Sequence, residues 1–310
     1  MRETRLLEFE SQAVTAITLA APGQPPLTLQ RLETGAPNPE ASAWQIVIRG
    51  DGAQGPQTRP ADRKSVDRLL EQLSTLAAKS FLSDAPRDAD LETWGFNRPE
   101  REITLTLPGQ SPLVLQIGLA TERESLAYAR IPSVSASVYG VAPEILRETA
   151  VVPRAWRERL LQELPAGARI TALKLTDLAE NNVLLDVTID ASGQPTSPVP
   201  APDAVQSLLA QLRSLRASEF VLDEFADRVL VGGDERPWRY RLDATTTLTG
   251  GAGEQTSVTT LFFTPRVGGG RQLAGSPANQ FNAVFAIEQP LLDALWTLTE
   301  GARDPGPPAP

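Results

Sequence analysis

Residues 69–84 read LLEQLSTLAAKSFLSD and residues 208–223 read LLAQLRSLRASEFVLD, with eight identities in sixteen ungapped positions. An internal repeat constrains a fold more than any single motif, because each copy must bury a core of the same pattern. Three further blocks match in the same order. Residues 5–19 resemble 159–175, the Arg98-Pro99 step resembles Arg236-Pro237, and residues 137–149 resemble 283–295. Leu-rich amphipathic helices often look alike, which could account for one block but hardly for four collinear ones. The 310 residues suit two domains at ~150 residues each. The chain therefore reads as a first module at 1–152, a second and diverged module at 153–302, and a tail at 303–310 that is disordered by composition.

Each module opens with strands. Val14 to Leu19 and Leu27 to Leu32 alternate apolar with polar residues, and Ala43 to Ile48 follows. Period-two patterning between turn-rich gaps predicts an antiparallel meander. A long amphipathic helix comes next. Asp62 supplies its N-cap, and Val66, Leu69, Leu70, Leu73, Leu76 and Ala77 form one apolar stripe at a period near 3.6. In the second module Val205, Leu208, Leu209, Leu212 and Leu215 repeat it after Pro202-Asp203.

Further strands follow at 102–107, 113–117, 128–131 and 137–141, then a short helix begins at Pro143. The second module offers strands at 239–248, 257–264 and 282–287 and a helix near 290–298. Runs of strands interrupted by one long helix predict α+β modules, each mainly antiparallel sheet with that helix and a short C-terminal one.

Composition narrows the chemistry. The chain has no His and no Cys, which excludes His-based triads, thiolate nucleophiles and the usual zinc sites. No cofactor and no metal site is expected. The net charge is 29 − 38 = −9, which argues against nucleic acid and anionic lipid as partners. The first residues lack the apolar core of a signal peptide, and no stretch of ~18 apolar residues occurs.

Carboxylates, Arg, Tyr, Ser/Thr and the lysines Lys64, Lys79 and Lys174 remain for chemistry, and paired carboxylates define the one enzyme class this composition does not weaken, so a carboxylate-dependent enzyme or binding protein acting on envelope glycans is the alternative reading. The cluster Asp84, Asp88, Asp90 and Glu92 lacks the glycine and twelfth-position glutamate of a calcium loop and reads as a solvated loop. The glycine runs at 232–233, 250–251 and 268–270 lack a P-loop ending and read as strand connections. No catalytic residue emerges. Trp94 and Phe96, in a turn before Arg98-Pro99, and Trp156, near the module boundary, are the candidates for binding a partner. The competing reading has the Trp94 turn cap the core, and Trp44 is expected in the core.

Several short motifs then converge. They are the Arg2-x-x-Arg5-Leu6-Leu7 opening, the capped helix ending in Leu-x-x-Leu-x-Ala-x-x-Phe, and the Trp94-Gly95-Phe96-x-x-Pro99 turn. Ile117-Gly118, Tyr128-Ala129-Arg130 and Val138-Tyr139-Gly140-Val141 complete the set. Together they resemble the bacterial family called domain of unknown function 4340, with Trp94 and Phe96 in place of that family's Tyr and Leu. The second module departs from the pattern. It has Arg236-Pro237 without the glycine turn, and Asn282-Ala283-Val284-Phe285 instead of the Val-Tyr step.

The resemblance implies tandem modules outside the cytoplasm, anchored by one N-terminal transmembrane helix that this sequence does not show. It also implies protein partners among ABC-transporter components. It supplies no activity and no functional residues. The expected function is accordingly a non-enzymatic extracytoplasmic scaffold or binding module, an accessory to a membrane transport complex.

Overall fold

A computed structural model describes residues 5–32, 44–48, 57–121, 125–231, 233–250, 253–266 and 270–301. The tail at 303–310, the opening Met1 to Thr4, and parts of the three glycine runs lie outside the described residues. The chain divides into two compact units, Met1–Glu158 and Arg159–Pro310. It is mostly antiparallel sheet with five short helices among the described residues. None of these helices is long and apolar enough to cross a membrane.

In unit 1 the chain forms β1 (Ala16–Ala20), β2 (Leu27–Arg31), β3 (Trp44–Ile48), β4 (Gln57–Pro60) and α1 (Arg63–Ser74). It continues through β5 (Ser80–Ser83), α2 (Asp88–Thr93), β6 (Arg101–Thr106), β7 (Leu113–Thr121), β8 (Leu126–Arg130), β9 (Val138–Val141) and α3 (Ile145–Glu148). The nine strands are ordered β4-β3-β2-β1-β6-β7-β8-β9-β5.

Unit 2 contains β10 (Leu160–Glu163), β11 (Ala168–Asp177), β12 (Asn182–Thr188), α4 (Pro202–Arg213) and β13 (Ser214–Leu222). After these come β14 (Arg228–Val231), β15 (Asp234–Pro237), β16 (Tyr240–Gly250), β17 (Gly253–Phe263), β18 (Leu273–Ser276), β19 (Ala283–Ile287) and α5 (Gln289–Glu300). Its eight-stranded sheet runs β10-β13-β19-β18-β17-β16-β11-β12, and β14 pairs with β15 as a separate hairpin.

The sequence explains the helices locally. Asp62 caps α1, its carboxylate accepting from the Lys64 amide at 3.2 Å and the Ser65 hydroxyl at 2.6 Å. Val66, Leu69, Leu70 and Leu73 then point into the unit 1 core with Ile17, Leu19, Trp44, Ile103 and Ile117. Burying each such side chain contributes about 1.5–3 kcal/mol. In α4 the buried stripe is Val205, Leu208, Leu209 and Leu212, within a second core of Leu173, Leu242, Leu261 and Phe285.

Neither helix is long. Each has twelve residues, and the predicted stripe overruns both. In unit 1 the Leu6 amide donates to the Leu76 carbonyl and Ala77 bridges to Arg5, so the chain has already left the helix. In unit 2 Leu215 lies in β13 and pairs with Gln162 of β10. The leucine two residues beyond each helix, Leu76 or Leu215, remains half-buried or buried, which explains why the stripe continues through a change of backbone conformation.

The boundary between the units falls six residues beyond the predicted 152/153 division. Trp156 is part of the unit 1 core. Its carbonyl accepts from the Asp62 amide at 2.7 Å, and the Glu158 amide donates to Pro60. These backbone bonds tie residues 156–158 to the start of α1.

Candidate functional site

Two places concentrate unusual structure, one in each unit. In unit 1 the segment after β5 folds back over the sheet as α2 and the turn at Trp94-Gly95-Phe96. Arg87 and Asp90 close the start of α2 with an ion pair at 3.0 Å. Gly95 has φ +82, a left-handed conformation that costs glycine little.

Phe96 is buried and the Arg130 guanidinium lies 4.8 Å from its ring centre. Trp94 is half-buried with its ring 5.9 Å from that of Tyr128. The Trp94 carbonyl accepts the Leu119 amide at 2.9 Å. That approach is possible only because residue 118 is glycine: a Cβ there would overlap the Trp94 carbonyl oxygen and meet Phe96 Cε1 at 3.4 Å.

The turn is thus a cover clasped to β7 and β8. Of the three sequence-derived partner residues, Phe96 and Trp156 are each only 4% exposed and Trp94 is half-buried. Trp156 also spends its indole N–H on the Ala150 carbonyl at 2.8 Å. The burial of Phe96 and Trp156 leaves Trp94 as the most exposed of the three.

Unit 2 holds a cavity of about 340 Å³ between α4 and the β11–β12 hairpin, within the size range of small-molecule sites. Gln206, Leu209, Ala210 and Arg213 line it from α4, a spacing that places them on one helix face. Ile170 and Ile189 form an apolar floor, and Arg169 and the Asp190–Gly193 turn complete the rim.

The turn is rigidly tied. Asp190 Oδ1 accepts from the Ser192 amide (2.8 Å), the Ser192 hydroxyl (2.7 Å) and the Gln194 amide (2.9 Å). The Ser192 hydroxyl first, then the Gln194 amide, holds the Asp190 carboxyl below its ordinary range. Gly193 supplies the positive φ of +81 that closes the turn. Gln206 reaches from α4 to the Gly193 carbonyl at 2.9 Å. Arg213 donates one bond, to Ala168 O at 3.0 Å. The Arg169 side chain is exposed and makes no hydrogen bond or ion pair with the described residues.

A family model described as Domain of unknown function (DUF4340) matches residues 53–271, more than two thirds of the chain. The chain belongs to this family. No curated protein and no solved structure matches it.

Three of the motifs that carried the DUF4340 resemblance in the sequence meet at the unit 1 clasp. The Trp94-Gly95-Phe96 turn, the Ile117-Gly118 step and the Tyr128-Ala129-Arg130 step are its two sides. The Val138-Tyr139-Gly140 step lies on the neighbouring strand, where a Cβ on Gly140 would meet Ser80 Oγ at 2.5 Å. In this chain the three clasp motifs form a packing device. DUF4340 membership assigns no chemistry to the unit 2 cavity, which lies inside the matched span.

The remaining candidates do not assemble into a reactive centre. Among the described residues no group of three or more acidic side chains could hold a metal ion. Asp88 and Asp90 sit on α2, and Gly233 joins β14 to β15 with φ +91. A wider cavity of about 530 Å³ in unit 1 includes Glu8 and Glu10, but both are exposed on a stretch that is neither helix nor strand. The unit 2 cavity escaped the sequence reading because its residues come from three elements far apart in the chain. Two local signals existed: the Asp-x-Ser-Gly turn at 190–193 and the Gln206/Leu209/Ala210/Arg213 face.

Proposed function

We propose that this chain is a non-enzymatic binding module built from two copies of one folding unit. We place it outside the cytoplasm, as an accessory to an ABC-type membrane transport complex. The observation that carries the non-enzymatic reading is the engagement of three unit 2 carboxylates, the residue type of the one enzyme class that the composition does not weaken. Asp177 is bonded to Arg239 at 2.7 Å and to the Ala179 and Glu180 amides. Asp243 accepts from Arg241 and from Thr260 Oγ1 at 2.7 Å. Asp190 is held by its own turn. Carboxylates fixed in this way are structural ties rather than a facing acid–base pair.

The tandem reading is supported by strand order and by register. In unit 1 the order β2-β1-β6-β7-β8-β9-β5 matches β12-β11-β16-β17-β18-β19-β13 in unit 2, with the twelve-residue helix inserted at the same point. Ser80 opposes Gly140 and Phe81 opposes Tyr139. The matching sequence blocks carry these onto Glu219 opposite Ala286 and Phe220 opposite Phe285, which are the observed partners in unit 2. Both aromatic pairs are edge-to-face, at 5.8 and 6.4 Å.

The compartment and the transporter partner rest on DUF4340 membership and the resemblance described above. The test is co-purification of the full-length protein with ABC-transporter components from the same cells, in several detergents. Stable co-elution is expected, and its absence in every detergent would overturn the accessory role.

A further inference from the structure

We infer that the unit 2 cavity binds a monocarboxylate carried on an aliphatic stem. Charge complementarity points to this ligand. The chain carries a net charge of −9, yet the cavity is lined by two arginines and one carboxylate. That carboxylate is already occupied by three donors of its own turn. The Arg213 guanidinium uses one N–H on Ala168 and the Arg169 guanidinium uses none on the described protein, so both lining arginines keep donors for a ligand. Such forks match a carboxylate in geometry as well as charge.

The floor then selects the rest of the ligand. Ile170, Ile189 and Leu209 are each under 10% exposed and belong to the unit 2 core. A fully hydrated inorganic anion would leave that apolar floor unused, whereas an aliphatic stem covers it. The excess of about one positive charge suits a monoanion. The site is also preformed, since Gln206 pins the turn to α4, which limits the ordering cost of binding.

The same chemistry could be offered by a free short-chain acid or by the C-terminal carboxylate of a peptide ending in an aliphatic residue. Titrations of the full chain with hexanoate, N-acetyl-leucine and hexan-1-ol, followed by amide NMR at fixed ionic strength, separate these. Saturable shifts of the Ser192 and Gly193 amides and the Gln206 side-chain amide are expected with at least one of the two acids. Tighter binding of N-acetyl-leucine identifies a peptide terminus, and tighter binding of hexanoate identifies a free acid.

Hexan-1-ol should bind roughly tenfold more weakly or worse, the loss expected for a charge-assisted hydrogen bond. Arg169→Gln and Arg213→Gln should each weaken the acid by a similar factor. Arg213→Lys should not restore it, since an ammonium cannot form the fork. Arg169→Gln is the decisive variant, because the Arg169 side chain holds nothing in the fold. Equal affinity for the alcohol, an unchanged acid affinity in Arg169→Gln, or no saturable shift with either acid would overturn the inference. It takes up the binding-module reading but is tested apart from it: failed co-purification with intact hexanoate binding would remove only the transporter role.

Discussion

Gly118→Ala should damage unit 1 far more than a buried methyl group normally does. The new Cβ would occupy the position of the Trp94 carbonyl oxygen, so the turn must retreat from β7 by about 1 Å to restore van der Waals distance. The Leu119 amide then loses its 2.9 Å bond to Trp94, at a cost of about 0.5–1.5 kcal/mol. A gap of that size also forfeits a quarter to a half of the dispersion energy along the clasp, where Phe96 is buried and Arg130 and Tyr128 pack against the turn. With overpacking strain of about 1–3 kcal/mol as the alternative to retreat, the expected loss is about 2–4 kcal/mol.

The measurement is urea unfolding followed by tryptophan fluorescence, to which Trp44, Trp94 and Trp156 contribute from unit 1. It is paired with hydrogen exchange at the Leu119 amide. Gly167→Ala is the control. Gly167 has no positive φ, and its Cβ would meet nothing nearer than Thr249 O at 3.6 Å, so a neutral effect or a gain of up to about 1 kcal/mol is expected. A Gly118→Ala protein within about 0.5 kcal/mol of the parent, with Leu119 still protected, would show that the clasp does not hold the turn and would refute the reasoning.

Three further outcomes follow from unit 2. Asp177→Asn should lower stability by about 1–3 kcal/mol, a range set below that of a buried pair because Arg239 is about a third exposed; thermal unfolding at low and high salt checks it. Tyr240 donates to Glu300 at 3.2 Å, and burial first, then Glu300, raises its pKa. A raised pKa means the folded state keeps the proton, so this stability is present below the ordinary tyrosine value of about 10 and is lost as pH rises through the folded value; Tyr240→Phe should flatten that alkaline loss in a pH series of urea midpoints. The Asp190 carboxyl should titrate below the ordinary aspartate value of about 3.9, and Ser192→Ala should move it back up in carboxyl carbon NMR. The associated stability is present above the unfolded value and fades as pH falls through the folded one.

What could be read from the sequence divides along physical lines. Asp62 and the stripe Val66, Leu69, Leu70 and Leu73 were legible because cap and period are local properties. Strand β5 was not. Its four residues show no burial alternation, and its identity as a strand comes from backbone bonds to β9, across nearly sixty residues of chain. Strand β18 is buried at all four positions, so period two gives no signal there either. The motifs of the Trp94 turn and the Ile117-Gly118 step were visible separately. Their common purpose was not, because a missing Cβ on one strand and a carbonyl on a distant turn meet only once the sheet exists.

The proposed duplication also bears on where specificity can reside. Both copies need the sheet and the helix stripe, so substitutions there are limited by the core. The outer flank of the helix is under no such limit, and it is where the copies part. In the matched blocks Gln206 corresponds to Asp67 and Arg213 to Ser74. In unit 1 Asp67 is spent on Arg63, one helical turn earlier, at 3.3 Å. The half-turn at Ser11–Ala13 lies against α1, in the sequence block that matches the approach to β11. Unit 1 thus has a serine, Ser74, where unit 2 has Arg213, and the Arg63 of its helix is already paired with Asp67. A carboxylate ligand should therefore shift amides in unit 2 while leaving those of α1 unmoved. Equal shifts along α1 would mean the acid follows a general property of the helix–sheet frame, and the arginines of the second copy would no longer account for it.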